Sequence, residues 1–320
     1  MTAPDISVII PAWQASGFIT RAVDSALASK GVGVEVVVVD DASPDDTFAV
    51  LQALAAKDKR IAIDRLAVNG GPSAARNRAL ELASGRFIAV LDADDSMAPE
   101  RLARLLRIAT EQDADIVVDN MVEVDAAGAP VGEGRFLTSP EFAAARDISL
   151  QTWIAFNQPM NAGDCLGYLK PLIRRATLDR LDARYDADLR NSEDYYLVAD
   201  LLAGGARMAY TPMTGYLYTR AAGSISHRLN TKDTQAWLAA ETRFQKRHAG
   251  AVSAVEQASL TKRMRALRNV DQFVAATAAL KGRKPGAFFG LLASDLSAAG
   301  YTLSTFARIA AGKVLGRKLV

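Results

Sequence analysis

The chain has 320 residues, half of them hydrophobic, enough for one large domain with an appendage or for two domains. Its one cysteine, Cys165, excludes an internal disulfide, and two histidines, His227 and His248, are too few for a histidine-built zinc site. The net charge of +2 hides an asymmetry: residues 241–320 hold 14 basic and 4 acidic residues (+10), and residues 1–240 hold 24 and 32 (−8).

Ile6 to Ile10 reads as a strand that stops at Pro11, and Phe18–Lys30 has helical spacing closed by Gly31 and Gly33. Val34–Val39 is a continuous β-branched run, the mark of a buried parallel strand. It ends in Asp40-Asp41-Ala42-Ser43-Pro44, where Ser43 and Pro44 are expected to start the next helix. Ile61–Ile63 predicts a third strand. Asn69-Gly70-Gly71-Pro72 predicts a turn into a helix that runs to Ser84. Phe87–Leu91 is a fourth strand, Pro99–Gln112 a helix and Asp115–Val118 a fifth strand. This alternation predicts an α/β fold, a mostly parallel sheet with helices on both faces. Val122–Val131 reads as a hairpin around Asp125–Gly128. Residues 137–165 carry no clear period. Further on, Leu178–Leu202 is expected to be helical at both ends, and Met208–Tyr210 and Gly215–Tyr218 to be two short strands. From Thr231 the chain reads as all helix, with a linker at Lys281–Pro285 and a break near Gly300. The expected division is 1–230 and 231–320. No run is long enough to span a membrane and no leader peptide is evident, so a cytoplasmic protein is expected.

The chemistry concentrates where the fourth strand ends, at Asp92-Ala93-Asp94-Asp95. Carboxylates at a strand's carboxyl end stand where open α/β sheets bind ligands. Three acids in four positions repel one another, and a hard divalent cation, Mg²⁺ or Mn²⁺, is the natural counter-charge. The alternative is a solvated acidic turn before a helix.

Taken in order, these landmarks resemble the family 2 glycosyltransferases of the GT-A (Rossmann-like) fold. Val39-Asp40-Asp41-Ala42-Ser43-Pro44-Asp45 is similar to that family's V-D-D-x-S-x-D stretch. Asn69–Asn77 is similar to its N-x-G-x-S-x-A-R-N stretch, Asp92-Ala93-Asp94 to its D-x-D motif and Glu193-Asp194 to its late acidic pair. Tyr218-Thr219-Arg220 with Ser224-Ile225-Ser226 resembles the segment that follows. The resemblance spans roughly Ile6 to His227. It implies an inverting transferase that takes a hexose from a UDP-sugar, with Pro11 and Ala12 framing the nucleotide and Asp40 accepting the uracil imide N–H. It places Asp92 near the ribose and Ala93 in the nucleotide-sugar site, Asp94 on the metal, Asp95 either in support of the metal shell or as a cap of the helix that follows, and Asp194 as general base. Arg76 would pair either with the nucleotide or with the acidic edge. The processive Q-x-x-R-W motif is absent, which favours single transfers. The composition resembles enzymes of succinoglycan-type pathways, which extend lipid-linked glycans. Other donors (UDP-galactose, TDP-rhamnose) and an inactive nucleotide-binding scaffold are the alternatives.

The basic tail carries apolar faces at Ala287–Leu292 and at Phe306 and Ile309. Such helices either lie on an anionic membrane, at the inner face of the cell membrane, or pack on the main domain or a second copy. Nucleic-acid binding is not expected, since no recognised module is present.

Overall fold

A computed structural model of the chain describes residues 4–132, 134–159, 163–220 and 229–314. The motif segment Ser224–Ser226 and His227 lie outside them. The chain divides into two compact units, residues 1–157 with 163–224, and residues 158–162 with 225–320.

The first unit is built on one mixed sheet. The strands β1 (Ile6–Ala12) and β2 (Val34–Asp40) lie side by side in parallel register from Ile6↔Val34 to Ala12↔Asp40. Their residues are almost all buried, as an unbroken apolar run requires of a central parallel strand. Helix α1 (Ile19–Leu27) connects them, and α2 (Thr47–Ala55) leads to β3 (Ile61–Arg65), which pairs parallel with β2. Helix α2 starts later than Ser43 and Pro44 predict, because Asp45 binds the Thr47 amide (3.2 Å) and hydroxyl (2.6 Å). Helix α3 (Pro72–Leu82) begins with Pro72 in the first turn, after Gly71 at φ 85°, a conformation that favours glycine. It packs on β1 and β2. Strand β4 (Phe87–Val90) pairs parallel with β1 on the other side.

Beyond β4 the sheet stops being parallel. A two-residue β5 (Ser96–Met97), α4 (Arg101–Glu111), β6 (Ile116–Val124), β7 (Arg146–Asp147) and α5 (Leu150–Ala155) precede β8 (Leu172–Arg174). Strand β8 is antiparallel to both β4 and β6 and joins the two halves of the sheet. Next come α6 (Arg175–Arg180), α7 (Glu193–Ala203) and β9 (Met208–Thr219). The two strands expected in the last stretch are one, paired parallel with β6 and irregular in register near Asn120. The order across the sheet is β3-β2-β1-β4-β8-β6-β9-β5, with β7 on β9, and helices lie on both sides. The α/β expectation holds, with a mixed rather than mostly parallel sheet. The hairpin is present as Asp125 N–H to the Ala129 carbonyl (2.8 Å) and Val131 N–H to that of Glu123 (2.8 Å).

The second unit is helical: α8 (Thr231–Arg247), α9 (Ala254–Lys281), α10 (Pro285–Ser294) and α11 (Leu296–Val314). Capping boxes at Asn230/Asp233 and Ser253/Glu256 start the first two. A buried ion pair, Arg263 to Glu241 at 3.0 Å, joins them. The break expected near Gly300 falls at Asp295, whose extended backbone ends α10 and whose carboxylate accepts the Ala298 amide at 3.1 Å. No helix among the described residues is long and apolar enough to cross a membrane.

Candidate active site

The parallel strands deliver their acidic residues to one edge. Strand β1 ends at Pro11 and Ala12, β2 at Asp40, and β4 is followed at once by Asp92, Ala93, Asp94 and Asp95. Three residues in these edge loops hold left-handed backbone without being glycine: Gln14 (φ 49°), Ala42 (φ 54°) and Ser192 (φ 62°). Such strain persists where the surroundings over-determine it, often at functional sites. Ser192 directly precedes α7 and its Glu193-Asp194 pair.

The V-D-D stretch is a closed knot. Asp40 is fully buried, 3.1 Å from Arg65 Nε, and accepts the Ser43 amide at 3.3 Å on each oxygen. Asp41 accepts the amides of Gly70 (2.7 Å) and Gly71 (2.8 Å). Burial pushes the Asp41 carboxyl above its ordinary value, and those amides oppose the rise. The second acid of the motif therefore fixes the glycine turn that opens α3, a role the sequence did not disclose.

Helix α3 in turn fixes the approach to α7. Asn77 trades two hydrogen bonds with the Tyr185 backbone (2.8 and 2.9 Å), and Ser73 donates to the Leu189 carbonyl (2.9 Å). Arg76, one turn along, is buried beneath the edge. It pairs with Glu193 and with Asp92 (2.7 Å), and its Nη1 lies 3.9 Å from Asp194. Of the two expectations for Arg76, the structure realises the acidic edge. Its two terminal nitrogens are engaged by carboxylates.

A residue that the sequence analysis passed over completes the cluster. The Lys170 ammonium lies 2.9 Å from Asp92 and 2.8 Å from Asp194. It stands two residues before β8, and the carbonyl of the intervening Pro171 accepts the Val90 amide at 3.2 Å, beside the end of β4. No motif signalled it, because the short strand that carries it gave no period. Burial opposes charge on both partners, yet Lys170 and Arg76 overcome it and hold the Asp92 carboxyl far below its usual range. Asp194 and Asp92 likewise hold the Lys170 ammonium above the ordinary lysine value.

The three acids after β4 separate by role. Asp92 is bound to cations. Asp95 is buried and already satisfied: Tyr216 O–H donates to one oxygen (2.6 Å) and the Thr219 amide to the other (2.7 Å). The same tyrosine oxygen accepts the Asp92 amide at 3.1 Å. Asp95, expected to support the metal shell or to cap the next helix, ties the turn after β4 to β9. Asp94 is half-buried, and its carboxylate meets no other side chain among the described residues. Burial, then Asp92, raise its carboxyl above the ordinary value. Mg²⁺ and Mn²⁺ bind through one or two carboxylates together with substrate phosphates and water, and Asp94 fits that pattern. No three His, Cys, Asp or Glu side chains among the described residues converge into a metal cage.

Comparison with known proteins shows the family. The family model for Glycosyl transferase family 2 matches residues 7–176. The Succinoglycan biosynthesis protein ExoO of Rhizobium meliloti (strain 1021) is 38% identical over 280 residues, 88% of this chain and 78% of its own. The Succinoglycan biosynthesis protein ExoU of the same organism is 39% identical over 235 residues, 72% and 66% of the two chains. The crystal structure of S. aureus TarS 1-349 in complex with UDP-GlcNAc is similar with a TM-score of 0.61 at 19% identity, covering 91% of each chain. That likeness shows the GT-A fold.

Proposed function

The chain belongs to glycosyl transferase family 2, and on that premise we propose that it moves a hexose, glucose first, from a UDP-sugar to a lipid-linked glycan. The pathway is assembly of a bacterial exopolysaccharide or another cell-surface polysaccharide. The succinoglycan roles printed for ExoO and ExoU support the pathway, and the UDP-GlcNAc complex of TarS supports a UDP donor. The observation that carries the reading is the meeting of Asp92 and Asp194 on the one ammonium of Lys170, beyond the carboxyl end of β4.

In this reading the nucleotide lies over Pro11 and Ala12, its base toward the Asp40 and Arg65 pair and its ribose toward Asp92 and Ala93. Asp194 accepts the proton of the acceptor hydroxyl as that oxygen bonds to the anomeric carbon, and the carbon–oxygen bond to the diphosphate breaks from the opposite face. The electron pair leaves with UDP, and the anomeric centre inverts. A divalent ion at Asp94, when bound, offsets the charge that grows on the leaving diphosphate. The basic second unit is read as a contact with an anionic membrane surface, where a lipid-linked acceptor would be found.

Calorimetric titration with UDP, UDP-glucose, UDP-galactose, GDP-mannose and TDP-sugars in Mn²⁺ tests the donor. UDP-glucose should bind best. Asp194→Asn should keep that binding and lose transfer by about 10²-fold or more. Normal turnover by the variant would remove Asp194 as base, and no nucleotide binding by folded protein would favour the scaffold alternative.

A further inference from the structure

We infer that Lys170 is a positioning residue of the reaction: it anchors Asp194 by one carboxylate oxygen and leaves the other to take the acceptor proton. This rests on the proposed role of Asp194 as base, and it deepens that reading.

The first observation is the count of charges. Asp92, Glu193 and Asp194 share their cavity with two cations, Arg76 and Lys170. All five side chains are largely withdrawn from water, with side-chain exposures of 4% for Arg76, 8% for Lys170, 9% for Glu193, 11% for Asp194 and 24% for Asp92. With Lys170 present the cluster carries three negative and two positive charges. Without it, three carboxylates would share one guanidinium. A buried carboxylate calls for a cation partner, and Lys170 is the one that meets Asp194 at hydrogen-bond distance among the described residues.

The second observation is which oxygen is used. Lys170 Nζ meets Asp194 Oδ2 at 2.8 Å. Asp194 Oδ1 is buried and accepts no hydrogen bond among the described residues, with Arg76 Nη1 at 3.9 Å its nearest recorded cation. Unsatisfied buried acceptors are rare and call for a reason. A substrate hydroxyl that donates to Oδ1 would supply it. Lys170 thus divides the carboxylate into an anchored oxygen and a working one.

The third observation is that Lys170 is itself fixed. Arg101 Nη2 donates to the Lys170 carbonyl at 2.6 Å. Arg101 is held by two nitrogens on buried Asp119, with contacts of 2.8 to 3.1 Å. Pro171 follows and restricts Lys170 to extended backbone. A lysine that merely neutralised charge would not need such a support. An ammonium also links Asp92, on the donor side, to Asp194 on the acceptor side through one atom.

The test compares Lys170→Met, which keeps length without charge, with Lys170→Arg. The assay is UDP release from the UDP-sugar that binds best, with water as acceptor. Lys170→Met should lower kcat by about 10²–10³-fold and change the donor KM by less than about threefold. Lys170→Arg should recover at least about tenfold of that loss. Unchanged kcat in Lys170→Met, or a loss confined to KM, would overturn the inference. A readout without turnover separates it from the transferase reading: the position of the Asp194 side chain in a crystal structure of Lys170→Met. Freed of its anchor on Oδ2, the carboxylate should leave the place it holds beside Lys170 in the parent. An Asp194 side chain that stays put overturns the role of Lys170 even if no donor is turned over, and a parent protein inactive on every donor would count against the proposed function alone.

Discussion

Asp94 and Asp95 are neighbours with opposite fates, and the difference is a matter of partners. Asp95 spends both oxygens on Tyr216 and Thr219, while Asp94 spends neither on another described side chain. A carboxylate left free beside a cation-bound one is the natural place for a metal that arrives with a diphosphate. Asp94→Ala should therefore weaken UDP binding by at least about tenfold (about 1.4 kcal/mol) in Mn²⁺, and far less in chelator. Calorimetry in the two buffers reads this, and equal losses would take Asp94 off the metal. Single residues were legible in the sequence only where a motif marked them. Asp92, Asp94 and Asp194 were marked, and Lys170 joins the first of them to the last. Lys170 and Arg101 were not, because their value comes from a fold that sets them against residues 24 and 18 positions away. The alternatives for Arg76 could not be separated in the sequence either, since Glu193 lies 117 positions along the chain.

Elements were legible in proportion to their length and period. The buried strands β1, β2 and β4 announced themselves as apolar runs, and helices α8 and α9 by their polar starts. Strand β8 did not, since three residues carry no period; what makes Leu172 and Ile173 strand is their place between β4 and β6. Its antiparallel insertion turns the expected parallel sheet into a mixed one. Close approach between elements was equally hidden. Gly85, between α3 and β4, runs against β1: a Cβ there would stand 2.5 Å from the Ser7 nitrogen and 2.8 Å from the Ile6 carbonyl carbon. Both contacts are backbone of a buried central strand, so neither can swing aside. Gly85→Ala should destabilise the first unit by about 1–3 kcal/mol, read from urea unfolding, with a smaller loss at Gly17, whose Cβ would meet nothing within 4 Å and whose backbone is not left-handed. Equal effects at the two glycines would mean that β1 yields more easily than its burial implies.

At the scale of the whole chain, the charge asymmetry read from the sequence coincides with the two units: an acidic body holds the sheet and a basic set of helices follows it. Helix α10 is the least buried element of the second unit. It has no buried residue, Phe289 is 66% exposed, and Lys281, Arg283 and Lys284 stand exposed just before it. Leu296 and Leu303, seven residues apart on α11, are exposed as well. An aromatic side chain beside three cations matches the two signals that peripheral membrane binding requires, apolar insertion and attraction to anionic headgroups. The full chain should then co-sediment with vesicles that contain anionic phosphatidylglycerol and much less with pure phosphatidylcholine. Binding should fall as salt rises, because each basic residue near such a surface contributes about 1 kcal/mol that screening removes. Phe289→Asp should weaken binding at every salt concentration, whereas reversing the charge of Lys281, Arg283 and Lys284 should weaken it mainly at low salt. Vesicle binding indifferent to both changes would leave these helices as packing or self-association surfaces, and sedimentation of the free protein would show which.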